Sequence, residues 1–246
     1  MSDRPPLLLT GASSGIGRSL ARRFAGEYHV LALARRIERM EREYADEPWV
    51  TPYELDLAEA GAIPETLDAL ADEHGPIRHV INNAGINRGG EMATVDVADL
   101  RESMQVNAVA PVQILQCLLP EMREADFGRV VNVTSGAPLN CPAGAGAYSA
   151  SKAALNTYTR TAARENDDRN VKINLMSPGP CRTEMAPDAP LEPSACHSTA
   201  AHLLELDADG PTGEFFWLDH RVPLRPDLSG TDWEGAEPGP NLDPVQ

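Results

Sequence analysis

The stretch that most limits the fold is Leu7 to Ala25. Leu7-Leu8-Leu9-Thr10 is a short apolar run that reads as a buried strand. Gly11-Ala12-Ser13-Ser14-Gly15-Ile16-Gly17 follows without a break, and Arg18 to Ala25 reads as helix. Glycine reaches backbone conformations closed to other residues, so three glycines in this segment allow a tight turn. They also let backbone N–H groups approach an anion at the start of the next helix. Strand, glycine turn and helix in that order open a βαβ unit. The spacing is G-x-x-x-G-x-G, not the commoner G-x-G-x-x-G. Taken alone, the turn is either a phosphate cradle or a plain βα connection.

The alternation continues. His29 to Ala34 reads as a second strand, with Arg35 and Arg36 at its C-terminal end. Val50 to Leu57 reads as a third, and Pro64 to His74 as a helix closed by Gly75. His79 to Asn82 is a strand running into Asn83-Ala84-Gly85, where small residues leave room for a flat ligand. Asp99 to Val106 and Val112 to Met122 read as helices that Asn107 interrupts or caps. Arg129 to Thr134 is a strand ending at Ser135, Pro138 to Gly146 a loop, and Ala147 to Glu165 a helix. Val171 to Met176 is a strand leading into Pro178, Gly179 and Thr183. A loop from Met185 to Pro193, a helix from Ser194 to Leu206 and a last strand from Thr212 to Leu218 complete the pattern. Strands alternating with helices imply an α/β doubly wound parallel sheet of Rossmann type in a single domain. From Pro226 the composition turns acidic and rich in Pro and Gly. Residues 1–225 are therefore expected to form the domain and 226–246 a mobile tail.

Composition narrows the partners. The 246-residue chain carries a net charge of −16, which argues against nucleic acid. No apolar run approaches the roughly 20 residues of a membrane span, and the short polar start gives no sign of a signal peptide. The four cysteines show neither C-x-x-C nor zinc spacing, so reduced thiols and a cytoplasmic location are expected. The six histidines form no metal set and read as surface residues; no metal is expected.

Ligands of a parallel sheet lie beyond the carboxyl ends of its strands. An acidic residue after the second strand would take a ribose 2′-hydroxyl, whereas an arginine suits a 2′-phosphate. Arg35 holds that place, so NADP(H) is favoured over NAD(H); Arg36 reads rather as a solvated residue of the next helix. Asp56 reads equally as a cap or as a cofactor contact. Tyr148 and Lys152, four apart, share one helix face. A lysine beside a phenol lowers its pKa and readies it for proton transfer.

At this point the residues resemble a family. T-G-A-S-S-G-I-G at Thr10 to Gly17, N-N-A-G at Asn82 to Gly85, Ser135, Y-S-A-S-K at Tyr148 to Lys152, and Pro178-Gly179 with Thr183 are similar to the short-chain dehydrogenase/reductases. The resemblance runs from Leu7 to about Leu218. It implies that Tyr148 is the acid/base and that Lys152 lowers its pKa and bonds the nicotinamide ribose. Ser135 would hold the substrate carbonyl, and Asn107 would support a water leading to Lys152. Gly11, Ser13, Ser14, Gly15, Ile16 and Gly17 would line the diphosphate side. Asp56 and Leu57 would flank the adenine, and Asn83, Ala84 and Gly85 would touch the adenosine ribose region. Pro178, Gly179 and Thr183 would meet the nicotinamide end, and Arg35 matches the position that marks NADP(H)-preferring members. The activity implied is hydride transfer between NADP(H) and a small or medium carbonyl or secondary alcohol. The alternative is a regulator that binds NADP(H) without turnover. A homodimer or homotetramer is implied through the helices around Val112 to Met122 and Ala147 to Glu165. Three features depart from the family: a short Pro-rich stretch after Thr183, Asp219-His220-Arg221 after the last strand, and the acidic tail.

Overall fold

The computed structural model describes residues 4–224; the expected tail, 226–246, lies outside the described residues. Eight strands form one sheet in the order β3-β2-β1-β4-β5-β6-β7-β8. They are β1 (Pro6–Thr10), β2 (His29–Ala34), β3 (Val50–Glu54), β4 (His79–Asn82), β5 (Gly128–Val133), β6 (Val171–Ser177), β7 (Phe215–Trp217) and β8 (His220–Val222). All neighbours pair in parallel except β7 and β8. The chain reverses its direction of progress across the sheet between β1 and β4. In such sheets the ligand crevice opens at that reversal.

The apolar runs bury both faces of the sheet. Leu7, Leu9, Val30, Ala32 and Ile81 pack under helices α1 (Gly15–Phe24), α2 (Ile37–Glu43) and α8 (His197–Leu204). The alternate residues Leu8, Leu31, Val80, Val130 and Ile173 pack under α3 (Ala62–His74) and α5 (Ala110–Glu124). Successive strand residues point to opposite faces, so a continuous apolar run fills both layers. A fully buried leucine contributes about 2 kcal/mol. Among the described residues no helix is long and apolar enough to cross a membrane.

Several boundaries differ from expectation. The third strand ends at Glu54, which leaves Leu55 to Leu57 in the loop above the sheet. Helix α3 starts at Ala62, before Pro64, and still ends at Gly75 with φ +82°. The expected loop after Ser135 contains a short helix, α6 (Ala137–Asn140). The expected helix from Ser194 is split into a 3-10 turn, Pro193–Cys196, and α8. The last strand does not end the sheet. It turns through Leu218 and Asp219, both at positive φ, into antiparallel β8. The Asp219 carboxylate accepts from the hydroxyls of Ser198 and Thr199 on α8, which anchors that turn.

Asn107 does not break its helix. Helix α4 (Val97–Met104), a π-helical segment (Gln105–Val109) and α5 run on continuously. Pro111 has no N–H to give the Asn107 carbonyl four residues back, and a one-residue widening absorbs the lost bond. His79 is not a free surface histidine. Its ring packs edge-on against Tyr28 (centroids 5.0 Å) and Phe127 (5.4 Å), and burial pushes its pKa down to about 4.

A buried polar chain fixes helix α7 (Gly146–Arg164) on the sheet. Asn82 Nδ2 donates to Asn132 Oδ1 (2.8 Å), and Asn132 Nδ2 donates to Thr159 Oγ1 (2.8 Å). Beside it, Thr134 Oγ1 donates to Asn156 Oδ1 (2.6 Å). The chain joins β4, β5 and α7. Asn132→Leu should cost about 1–3 kcal/mol, because it strands the Asn82 amide without its partner. In urea unfolding, adding Asn82→Leu should restore part of that loss; purely additive losses would mean the two amides do not act together.

Candidate active site

The carboxyl ends of β1, β2 and β4 open into a cleft of about 580 Å³. Its floor is the glycine turn. Gly11 and Gly15 have φ +71° and +52°. Gly17 has no room for a side chain: a Cβ there would lie 2.2 Å from the Gly11 carbonyl oxygen. The Thr10 hydroxyl accepts from the Asn83 and Ala84 N–H groups (both 3.0 Å). Asn83 Nδ2 donates back to the Thr10 carbonyl (3.0 Å). The turn is thereby clamped to the end of β4, and the Asn83 amide is spent inward rather than offered to a ligand.

Every residue expected to face a cofactor lines this cleft except Gly179. Gly179 has φ +76° and is packed between Leu191 and Leu218. Asp56 lines the cleft, and its Oδ1 accepts from the Ala58 N–H (2.9 Å), as a cap does. Thr183 lies across the turn, its methyl 3.0 Å from where a Gly15 Cβ would stand. Cys181 is buried with its thiol directed at the Pro178 carbonyl, so it offers no reactive group to the cleft.

Tyr148 and Lys152 lie on α7, at the wall of the cleft. The Lys152 ammonium is fully buried and donates to the Val133 carbonyl (2.8 Å), and desolvation lowers its pKa to about 8. Burial raises the Tyr148 phenol, and a hydrogen bond from the Ser135 side chain opposes that rise. The influence that lowers the phenol here comes from Ser135, while the Lys152 ammonium is spent on a β5 carbonyl. Asn107 accepts from the Ile86 N–H (2.8 Å) and donates to the Ile86 carbonyl (2.8 Å) and to Ser151 Oγ (2.9 Å). Gly85 separates it from Lys152; a Cβ there would be 3.3 Å from Asn107 Oδ1 and 3.4 Å from Lys152 Nζ.

Residues 6–193 match the family described as short chain dehydrogenase. The chain belongs to the short-chain dehydrogenase/reductases. It is 33% identical over 195 residues to a Drosophila melanogaster dehydrogenase/reductase SDR family protein 7-like, covering 74% of this chain and 59% of that protein. It is 30% identical over 188 residues to the 3-oxoacyl-(acyl-carrier-protein) reductase of Thermotoga maritima, covering 74% of this chain and 76% of that one. Among solved structures, a short-chain dehydrogenase of Shigella flexneri complexed with NADP superposes with a TM-score of 0.81 at 26% identity. That match covers 89% of this chain and 98% of the other. The chain spans about three fifths of the length of the insect relatives.

The family implies a nicotinamide dinucleotide, and the cleft fits one. Helix α1 begins in the turn with no acidic residue in its first turn and no side-chain cap from Ser14. Its first N–H groups therefore remain available to an anion. The Ser14 hydroxyl is engaged elsewhere, by Arg36 Nη2 (2.7 Å), and Arg36 Nε donates to Ser13 Oγ (3.0 Å). Arg36 thus lines the cleft while staying solvent-exposed, as its sequence suggested. Glu184 on the facing loop is a second cleft residue that no sequence motif marked.

The tight turn gives a direct check. Gly17→Ala should destabilise the protein by about 1–3 kcal/mol through overpacking against a backbone oxygen. Gly26→Ala, where nothing lies within 4 Å of the added Cβ, should leave thermal unfolding within about 0.5 kcal/mol. Equal effects at the two positions would contradict the packing described for the turn.

Proposed function

We propose that the protein is an NADP(H)-dependent oxidoreductase that interconverts a carbonyl and a secondary alcohol on a small or medium substrate. Tyr148 is the acid/base. The reading rests on one observation above all: Tyr148 and buried Lys152, one helical turn apart on α7, line the glycine-turn cleft together, with Lys152 Nζ held by the Val133 carbonyl (2.8 Å). The Gly11–Gly17 turn and the α1 amides hold the diphosphate. Asp56 and Leu57 flank the adenine, and Asn83, Ala84 and Gly85 border its ribose. Pro178, Gly179 and Thr183 shape the nicotinamide end. Gly179 does so through backbone, since it does not line the cleft.

The bound nicotinamide supplies or accepts the hydride. The chain does the rest. Hydroxyls of Ser135 and Tyr148 donate to the substrate oxygen, where negative charge grows during reduction. Tyr148 then gives that oxygen its proton, and takes it back in the oxidative direction. Burial keeps the phenol protonated at neutral pH, which suits a donor. Ser135 stabilises the phenolate left behind. Lys152, held by the Val133 carbonyl, keeps a cation near that phenolate and near the nicotinamide ribose. Asn107 supports a water that leads to Lys152.

NADP(H) is favoured over NAD(H) because arginines, and no acidic residue, follow β2. The NADP in the Shigella relative agrees with that choice. A homodimer or homotetramer is supported by exposed apolar side chains on the long helices, among them Val97, Val109 and Tyr158.

The test is steady-state oxidation of NADPH, with NADH in parallel, against a panel of ketones and aldehydes. Turnover should prefer NADPH. Tyr148→Phe should lower kcat by at least about 100-fold while cofactor affinity stays within a few-fold. Full activity in that variant would refute the mechanism. Tight NADPH binding without turnover on any carbonyl would point instead to a cofactor-binding regulator.

A further inference from the structure

Glu184 follows Thr183 directly and faces the glycine turn across the cleft. Its Oε2 accepts from Arg36 Nη1 (2.9 Å), and its Oε1 pairs with Arg39 Nη1 (2.7 Å). Arg36 immediately precedes α2 and Arg39 lies three residues on, so the two guanidiniums share one face. The same Arg36 reaches Ser13 and Ser14 through its other nitrogens. Each of those serine oxygens accepts from arginine, which leaves its O–H proton free to donate. Arg36 and two hydroxyls therefore meet in the lining of the cleft, and the Glu184 carboxylate bridges Arg36 to Arg39. Arg35 is different. It is more than half exposed, and its contact with Asp56 is long, at 3.9 Å.

We propose that Glu184 is a built-in anion which occupies the arginines that follow β2, and that the 2′-phosphate of NADP(H) displaces it. The inference rests on the NADP(H) reading above and deepens it. Exposed ion pairs are worth little, so the Glu184 contacts are cheap to break. A phosphate brings close to two charges and three acceptor oxygens, and it pairs with arginine in two-pronged fashion. The exchange of carboxylate for phosphate therefore runs toward the phosphate. NAD(H) carries only a hydroxyl at that point and cannot drive it. While Glu184 holds the arginines, hydrogen bonds from Arg36 and then Arg39 keep its carboxyl below the ordinary range. Its charge sets a threshold that only a stronger anion crosses.

Calorimetric titration of the full chain tests this without turnover. The ligands are NADPH, NADH and adenosine 2′,5′-bisphosphate, at one fixed ionic strength. The proteins are wild type, Glu184→Gln and Arg36→Met. Glu184→Gln should tighten NADPH and the bisphosphate about three- to tenfold and leave NADH within about twofold. Arg36→Met should weaken NADPH and the bisphosphate at least about tenfold, again sparing NADH. If wild type prefers NADPH but Glu184→Gln changes nothing, or tightens NADH equally, the inference fails and the cofactor reading stands. If wild type binds NADH as tightly as NADPH, both fail.

Discussion

A lysine ammonium buried without a carboxylate partner among the described residues is the constraint on which the site depends. Desolvating a cation is costly, and a lysine in that position gives up part of its basicity instead. Lys152 does so, with a pKa near 8. Three local features make its position possible. The Val133 carbonyl at the end of β5 accepts a hydrogen bond from it, Gly85 keeps side-chain bulk away from Nζ, and Ile86 and Ser151 hold the Asn107 side chain in place. Structural packing alone would favour an apolar side chain here. In the function proposed above, that charge serves Tyr148 and the nicotinamide ribose.

The remaining architecture holds two pieces of backbone at fixed separation. One is the glycine turn, clamped to the end of β4 by Thr10 and Asn83. The other is the first turn of α7, which carries Tyr148. That helix is held by the Asn82–Asn132–Thr159 chain and by Thr134–Asn156. These bonds are buried and directional. They fix the rotation of α7 about its axis, which apolar packing alone would leave looser. Both pieces therefore refer to the same strand ends, β4 and β5. Facing loops, including Thr183 and Glu184, complete the cleft from the far side with weaker, solvent-exposed contacts.

Much of this was legible in the sequence because it is local. The glycine turn follows a strand directly, and Tyr148 and Lys152 stand at helical spacing. The strand–helix alternation gave the parallel sheet in order. What escaped depends on tertiary placement. The β7–β8 hairpin turns through Leu218 and Asp219 without the glycine that normally signals such a turn. Its anchor is Asp219 on α8, distant in sequence. The break expected at Asn107 was a widening, and Pro111 was the available signal. Arg35 and Arg36 are adjacent in sequence, so only the path of the backbone decides which one reaches the glycine turn. His79 looked free because its aromatic neighbours come from elements far along the chain. The partner of Lys152 is a carbonyl, which carries no sequence signature at all.

The most direct test of the central claim is the pH dependence of unfolding free energy for wild type and Lys152→Met. Both are measured by denaturant titration between about pH 7 and 10.5. The lysine pKa is near 8 when folded and near 10.4 when unfolded, so the unfolded chain binds more protons between those values. Wild-type stability, relative to the variant, should therefore rise with pH across that window, by up to about 3 kcal/mol. Below pH 8 the full cost of burying the charge remains, and the variant should gain most there. A difference between the two proteins that stays constant across the window would contradict the account, because it would mean that Lys152 keeps its ordinary basicity in the fold.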